Sequence, residues 1–449
     1  MTYSAIRKRM SATGIGYAGI EGAWWLPATK PFVLPVSAHL ELERIAAATF
    51  ALFDIVTHGY TGESELWSAL NHKVPAHLRR YVSQQRVLCV RPDFQWVPGS
   101  ASGSIQRAGY TFAATELEIC PSAQGYAHAM QTGYELDPDL VKAFAQVLAG
   151  RTLIIVMTGE WSEFIWEQLA FCRALEGHGA RGRVWLDIPI EALNDFVRHA
   201  ARWQPPMFGV TEKTAAWNDD VLSRIEDFGG MLLRDLPMSG DNLALFRFGY
   251  LDCFSPNVLE RLVALEATGA LALNPLHFAF DSKAVMTLPN DSAYLARLGH
   301  SHAGHLRHAL PRTLVLDDHQ LDSVVGAKDA WVLKFAGFDH GQQAWGGRSL
   351  QVGKRMSHAE WRDVVRRYND LPFPVVAQQA TPTAKLDIAY FDPSGAVSTL
   401  HGDARIRSFF VRDADGSKVR VCGTHLTTSF GGQGVSEGTG AVQAPVIFG

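Results

Sequence analysis

The stretch WVLKFAGFDHGQQAWGG, Trp331 to Gly347, puts a lysine near the end of a short apolar run and follows it with a loose, glycine-rich segment. The run around Lys334 reads as a strand, and a lysine held at a strand end is a point charge that can reach phosphate oxygens. Behind it, Gly337, Gly341, Gly346 and Gly347 would let backbone amides approach a phosphate without side-chain obstruction. The competing reading is a strand running into an ordinary surface turn, with Lys334 snorkelling to water. The segment is not a Walker loop, because no Gly-Lys-Ser/Thr occurs in it. What decides between lid and turn is the chemistry the rest of the chain supplies.

At 449 residues with 47% hydrophobic content, the chain is too long for one compact core, so two or three subdomains are expected. The formal net charge is −4 and the Lys and Arg residues are scattered, which leaves no electrostatic footprint for nucleic acid or an acidic membrane. Small-molecule partners are expected instead, and a homodimer is compatible with the chain. The start, MTYSAIRKRMSATGIGYAGIEG, has basic residues without the apolar core of a secretory signal, and no run of eighteen apolar residues follows, so a cytoplasmic location is expected. Cys89, Cys120, Cys172, Cys253 and Cys422 are odd in number, dispersed and free of any C-x-x-C pair, which fits reduced thiols in the core.

Val36 to Val56 shows apolar residues at helical spacing, and the segment up to about residue 85 is expected to be helical. RVLCVRPDFQWV and YTFAATELEIC read as two strands joined by the Gly/Ser-rich PGSASGSIQRAG. RTLIIVMTG (151–159), a helix to about Gly177 and RVWLDIP (183–189) give a Rossmann-like parallel unit. NVLERLVALEATGALALNP (257–275) is a helix, a glycine stop and a short strand. SHAEWRDVVRRY opens on a capping box, Ser357 to Glu360, and runs as a helix. FPVVAQQ, LDIAYFDPSG, RIRSFFVRDADG and SKVRVCGT are expected as one antiparallel set of strands.

Several signals point less firmly. GIGYAG (14–19) matches G-x-G-x-x-G but follows no strand and opens no strong helix, so a plain loop is the better reading. His300, His302, His305 and His308 read as a solvated face, since Gly304 weakens the helix that would align them. TGEWSEF around Glu160 could hold an acid or simply connect a strand to a helix. Glu116 and Glu118 alternate on one strand and share a face, and Asp93 lies on the preceding strand. If those strands pair, the three carboxylates form an oxygen shell of the kind magnesium accepts; the alternative is a wet strand face. Arg91 would share the face of Asp93 and stabilise negative charge on a transferring phosphoryl or attacked acyl group. Lys283 in FDSKAVMTL is a second candidate phosphate ligand, or only a helix start. Gln378, Gln379 and Ala380 end a strand in a polar joint whose backbone could bond an adenine edge. Arg405 and Arg407 in ARIRSFF are further candidates for holding phosphate or carboxylate, though alternating arginines on a strand are more often its solvent face.

In their order these motifs resemble the circularly permuted ATP-grasp family, of the glutathionylspermidine synthetase type of amide-forming ligase, over most of residues 85–449. Arg91-x-Asp93 followed by Glu116-x-Glu118 looks like the family's R-x-D and E-x-N strands. NPLHFAFDSK (274–283), HALPRT (308–313), VLKFAGFDHGQQAWGG and VVAQQ look like its first-lysine segment, its L-P-x-T turn, its lysine strand with lid, and its adenine hinge. Glu118 stands where the family usually has Asn, Phe335 where it has Pro, and Gln379 where it has Glu.

The resemblance implies an α/β (α+β) chain with a circularly permuted ATP-grasp fold. Residues 1–84 would be a helical N-terminal region, 85–149 the metal-binding strands, 150–275 a Rossmann-like pre-ATP-grasp or substrate subdomain, and 276–449 the nucleotide-binding and lid subdomains. It implies ATP and Mg2+ as cofactors and small-molecule carboxylate and amine substrates. Asp93, Glu116 and Glu118 would hold the metal, Lys283 and Lys334 the phosphates, and Arg91 the acyl phosphate. A small-molecule kinase, a non-catalytic nucleotide-binding scaffold and a nicotinamide-dependent oxidoreductase using the Gly14 segment are the other classes weighed.

Overall fold

The two alternating runs Cys89–Pro98 and Tyr110–Glu118 pair antiparallel and form one edge of an eight-stranded sheet. This computed structural model describes residues 1–14, 25–62, 64, 67–98, 110–188, 230–232, 239–340, 344, 348–430 and 441–449. Next to Cys89–Pro98 lies the long strand Val397–Arg412, then Val419–Ser429 and Ala441–Phe448. Lys385–Phe391 pairs with Val397–Arg412, while Trp25–Pro27 and Phe32–Leu34 join Ala441–Phe448 in parallel. The chain start and the chain end therefore complete one sheet.

A second sheet of five strands is wholly parallel, ordered Gly230–Leu232, Arg181–Asp187, Thr152–Thr158, Leu243–Phe248 and Leu271–Ala272. Between its first two long strands in sequence lies the helix Ile165–Glu176, as the strand–helix–strand pattern requires. Strand Leu243–Phe248 is buried at every position, and its one charged residue, Arg247, is paired with Asp281.

The third sheet has four antiparallel strands in the order Thr313–Val315, Val375–Gln379, Trp331–Phe335 and Gln351–Val352. Helix His358–Asn369 covers it, burying Trp361, Val364, Val365 and Tyr368 against Leu333, Val375 and Ala377. The capping box forms as read: Ser357 Oγ accepts the Glu360 amide at 3.3 Å and Glu360 Oε2 accepts the Ser357 amide at 2.8 Å. Phe335 packs its ring on Tyr368 and Phe373, at centroid distances of 5.2 and 4.8 Å.

The helix expected from Val36 runs from Val36 to Gly59 and buries Leu42, Ile45, Phe50, Phe53 and Val56. Beyond it, the structure departs from the expectation of helix to residue 85. Among the described residues there, only Ser68–Asn71 is an α-helix and the others are mostly turns and irregular chain, because each short apolar group (Leu70, Val74, Leu78, Tyr81) docks separately on the core. Val375–Gln379 likewise belongs to the four-stranded sheet and not with the other C-terminal strands, since its neighbours are Thr313–Val315 and Trp331–Phe335.

The GIGYAG segment beyond Gly14 lies outside the described residues, as does most of 189–238. The histidine-rich run sits on the helix Ser292–Ala309, with His300 and His308 exposed. Among the described residues no helix is long and apolar enough to cross a membrane.

Candidate active site

The eight-stranded and four-stranded sheets meet around a cleft of about 410 Å³. Its lining draws Gln95, Thr115 and Glu116 from the edge hairpin of the large sheet, and Asp403 and Arg405 from the long strand beside it. The four-stranded sheet supplies Val332, Lys334, Val352 and Gln378–Gln379, and Ala380–Thr383 continue the wall. Lys283, at the start of a 3-10 helix (Lys283–Asn290), enters from a third direction. Lys283, Lys334, Lys354, Arg355 and Arg405 face Glu116, Asp329 and Asp403, so cations outnumber anions in the lining. Such a cleft favours a polyanionic ligand.

Lys334 sits as the strand pattern requires, paired on one side with Val375–Gln379 and leading to the cleft on the other. Its Nζ donates to Gln378 Oε1 at 2.9 Å and to the Thr115 carbonyl at 3.1 Å. Thr115 offers that carbonyl because of a bulge: Asp93 pairs with Glu116 and Phe94 with Ala114, leaving Thr115 out of the ladder. Burial, reinforced by Lys283 and Arg405, lowers the Lys334 ammonium to about 8.

Lys283 is buried and makes an ion pair with Glu116 Oε1 at 2.7 Å, while its Nζ also donates to the Ala344 carbonyl at 2.6 Å. Its backbone is fixed by an amide bond to the Ala336 carbonyl at 2.8 Å. Two residues earlier, Asp281 takes both arms of Arg247, at 2.7 and 3.0 Å, and the Leu251 amide at 2.6 Å. Both partners are buried, so the bidentate geometry is what offsets their desolvation. Asn274 of the same segment accepts the Arg247 amide at 2.7 Å and donates to the Ile119 carbonyl at 3.0 Å, tying the parallel sheet to the end of the hairpin.

Gly337 has φ +148°, and a Cβ there would lie 2.5 Å from the Asp281 carbonyl oxygen. It is therefore a close-approach glycine that lets the loop pass over the Lys283 segment. The loop is then held by Asp252, whose Oδ2 accepts the His340 amide at 3.2 Å. Gly341, Gly346 and Gly347 lie outside the described residues.

The expected three-carboxylate shell is not what the structure places here. Of the trio, only Glu116 lines the cleft. Glu118 is turned inward, accepting the Cys120 amide and the Tyr250 hydroxyl at 3.2 Å each, and burial next to Glu116 raises it to about 7. Asp93 is surrounded by guanidiniums: Arg91 at 3.3 Å, Arg405 at 3.0 Å and Arg407 at 3.2 Å. They hold its carboxyl far below the usual range although burial alone would raise it. Among the described residues no group of three or more His, Cys, Asp and Glu is arranged to hold a metal ion. The residues present therefore do not fit a protein-held three-carboxylate metal site, because two of the three carboxylates already spend their oxygens on protein donors.

Arg91 is also relocated. It is buried behind Asp93, donates to the Ser122 carbonyl and lies over the Phe409 ring at 6.0 Å, and it does not line the cleft. Arg405, a further candidate whose alternation with Arg407 is more often a solvent face, lines the cleft wall, and Arg407 is buried. The signal in the sequence was present: three acids on adjacent strands need counter-charge, and Arg405-x-Arg407 supplies it across the sheet. At the hinge, the Gln379 and Ala380 amides donate to the Arg312 and Ala330 carbonyls, at 2.7 Å each, so they are committed to the protein's own backbone. Gln378 is buried, and its side chain bonds Lys334 Nζ and Thr313 Oγ1. Lys354, Arg355 and Ser349 complete the lining without having been singled out in the sequence.

No protein-family model matches the chain, and no curated protein matches it in sequence. Among solved structures, a candidate gamma-glutamylcysteine synthetase from Methylobacillus flagellatus KT overlaps 92% of this chain and 86% of its own, at 11% identity and a TM-score of 0.40, too remote to carry an argument. A glutathione synthetase-like effector from Globodera pallida, solved in its apo form, matches over 99% of this chain and 95% of its own with 12% identity and a TM-score of 0.52, and at that identity what the two share is the fold.

Proposed function

We propose that the chain is an ATP-dependent carboxylate–amine ligase working through an acyl phosphate. The observation that carries this reading is the convergence of Lys283, Lys334, Glu116 and Arg405 from three separate parts of the fold on one cleft. The fold shared with a glutathione synthetase-like protein supports it. In the proposed reaction a substrate carboxylate oxygen attacks the γ-phosphorus, and the bond to the β,γ-bridging oxygen breaks with release of ADP. The amine nitrogen then attacks the acyl carbon, phosphate leaves with the C–O bond electrons, and the nitrogen loses a proton. Lys283 and Lys334 neutralise the phosphates, Arg405 stabilises charge on the transferring group, and the loop from Gly337 shields the site from water. The apolar Val332 and Val352 with the Gln379–Thr383 wall would take the adenine.

Pairwise screening of amino acids, small peptides and polyamines for ADP release, with mass analysis of products, tests the reaction class. An amide product with one ADP per bond is expected; a phosphorylated product without amide would make the protein a kinase, and nucleotide binding without turnover a scaffold. Lys334→Ala and Glu116→Ala are each expected to abolish ATP turnover with an unchanged circular dichroism spectrum. Unaltered turnover in both would remove the site from consideration.

A further inference from the structure

We propose that Asp93 is a positioning residue that aims Arg405 into the cleft, and not the metal ligand its R-x-D setting suggests; this rests on the cleft being the nucleotide site. Asp93 is buried, and both of its oxygens are occupied: Oδ1 by Arg91 Nε (3.3 Å) and Arg407 Nε (3.2 Å), Oδ2 by Arg405 Nη1 (3.0 Å) and Arg407 Nε (3.2 Å). Magnesium requires oxygens at about 2.0–2.1 Å in near-octahedral array, so it would have to displace guanidiniums and sit among their charges. Arg91 also donates to the Ser122 carbonyl, and Arg407 to Thr427 Oγ1 at 3.0 Å. Arg405 is the member of the three that lines the cleft. Strand pairing builds the arrangement: Arg407 stands opposite Asp93 and Arg405 opposite Gln95, so the two arginines flank the carboxylate on one face of the sheet. A carboxylate gripped in this way fixes a planar cation in one orientation, which a flexible lysine could not match.

The test uses the full-length protein and a non-hydrolysable ATP analogue, measured by calorimetry in EDTA and again across a Mg2+ titration. Asp93→Asn and Arg405→Ala are each expected to weaken metal-free binding about tenfold, the scale of one charge-assisted hydrogen bond. The double variant should be no weaker than Arg405→Ala alone, and the Mg2+ midpoint should stay within about twofold in all three, where loss of a metal ligand would move it about tenfold or more. Asp93→Glu, which restores the charge, should recover part of the metal-free affinity. Unchanged metal-free binding in Asp93→Asn with a displaced Mg2+ midpoint would overturn the proposal. Arg405→Ala leaves the Asp93 carboxylate in place and decides the matter alone if Asp93→Asn does not fold: unchanged metal-free binding there overturns the proposal as well. Wild-type protein that binds the analogue neither with nor without Mg2+ would overturn the nucleotide reading itself, a result distinct from either.

Discussion

Lys334 carries a charge that its surroundings resist. Burial, with Lys283 and Arg405 nearby, brings its ammonium down to about 8, so near neutral pH it is protonated but titrates well before an ordinary lysine. Phosphate binding favours the charged form, and affinity should therefore fall as pH rises through 8, by up to about tenfold per unit. Calorimetric titration of an ATP analogue from pH 7 to 9.5 checks this, and Lys334→Arg should show a flat profile over that range. Glu167 behaves in the opposite sense for stability. It is buried, accepts the Ala123 amide at 2.8 Å and Gln168 Nε2 at 2.9 Å, and burial raises it to about 7 from 4.5. Its neutral form suits the fold, so the stability it confers is full below pH 4.5 and is lost as pH rises through 7, amounting to about 3 kcal/mol. Glu167→Gln should remove that dependence, seen in urea unfolding as a gain over wild type at pH 8 that is absent at pH 5.

At the scale of elements, the site depends on how strand Leu243–Phe248 holds the start of the 3-10 helix at Lys283. Asp281 is the connection, through its bidentate pair with Arg247 and its bond to the Leu251 amide. Asp281→Ala would leave a buried guanidinium uncompensated and should cost about 3–5 kcal/mol in chemical denaturation. It should also weaken nucleotide binding in the fraction that stays folded, because Lys283 loses its anchored neighbour. The sequence was informative about these elements where the signal was local. Helix Val36–Gly59, the capping box at Ser357 and the hairpin of Cys89–Pro98 with Tyr110–Glu118 all follow from side-chain period and capping chemistry. The turns between residues 72 and 85 did not, since their shape comes from separate apolar anchors on a distant core.

Across the whole molecule, the cleft exists only because the parts are locked together. Arg412 grips Asp54 of the first long helix at 2.5 and 2.8 Å, donates to the Val87 carbonyl at 2.7 Å and lies over Phe50 at 4.7 Å, so it ties the long strand to the helix and to the chain entering the hairpin. A ligand bound in the cleft, which hairpin and long strand both line, stabilises the folded chain by mass action, about 2.7 kcal/mol at a hundredfold excess over its Kd. Thermal melts should show an ATP-dependent rise in Tm for the wild type and none for Lys334→Ala. Taken by itself, the sequence determined helix Val36–Gly59, the paired strands Cys89–Pro98 and Tyr110–Glu118, the strand–helix–strand parallel unit and the capped helix after Ser357, because periodicity and caps are properties of neighbouring residues. Alternation also established that Arg405 and Arg407 share a face, but could not say whether that face meets water. Only the tertiary structure decided this, by bringing a carboxylate 312 and 314 residues away against them, and it thereby turned Asp93 from an apparent metal ligand into the partner of three arginines. Burial and cross-strand partners depend on which strands lie side by side, and that is set by packing of the whole chain rather than by any local pattern.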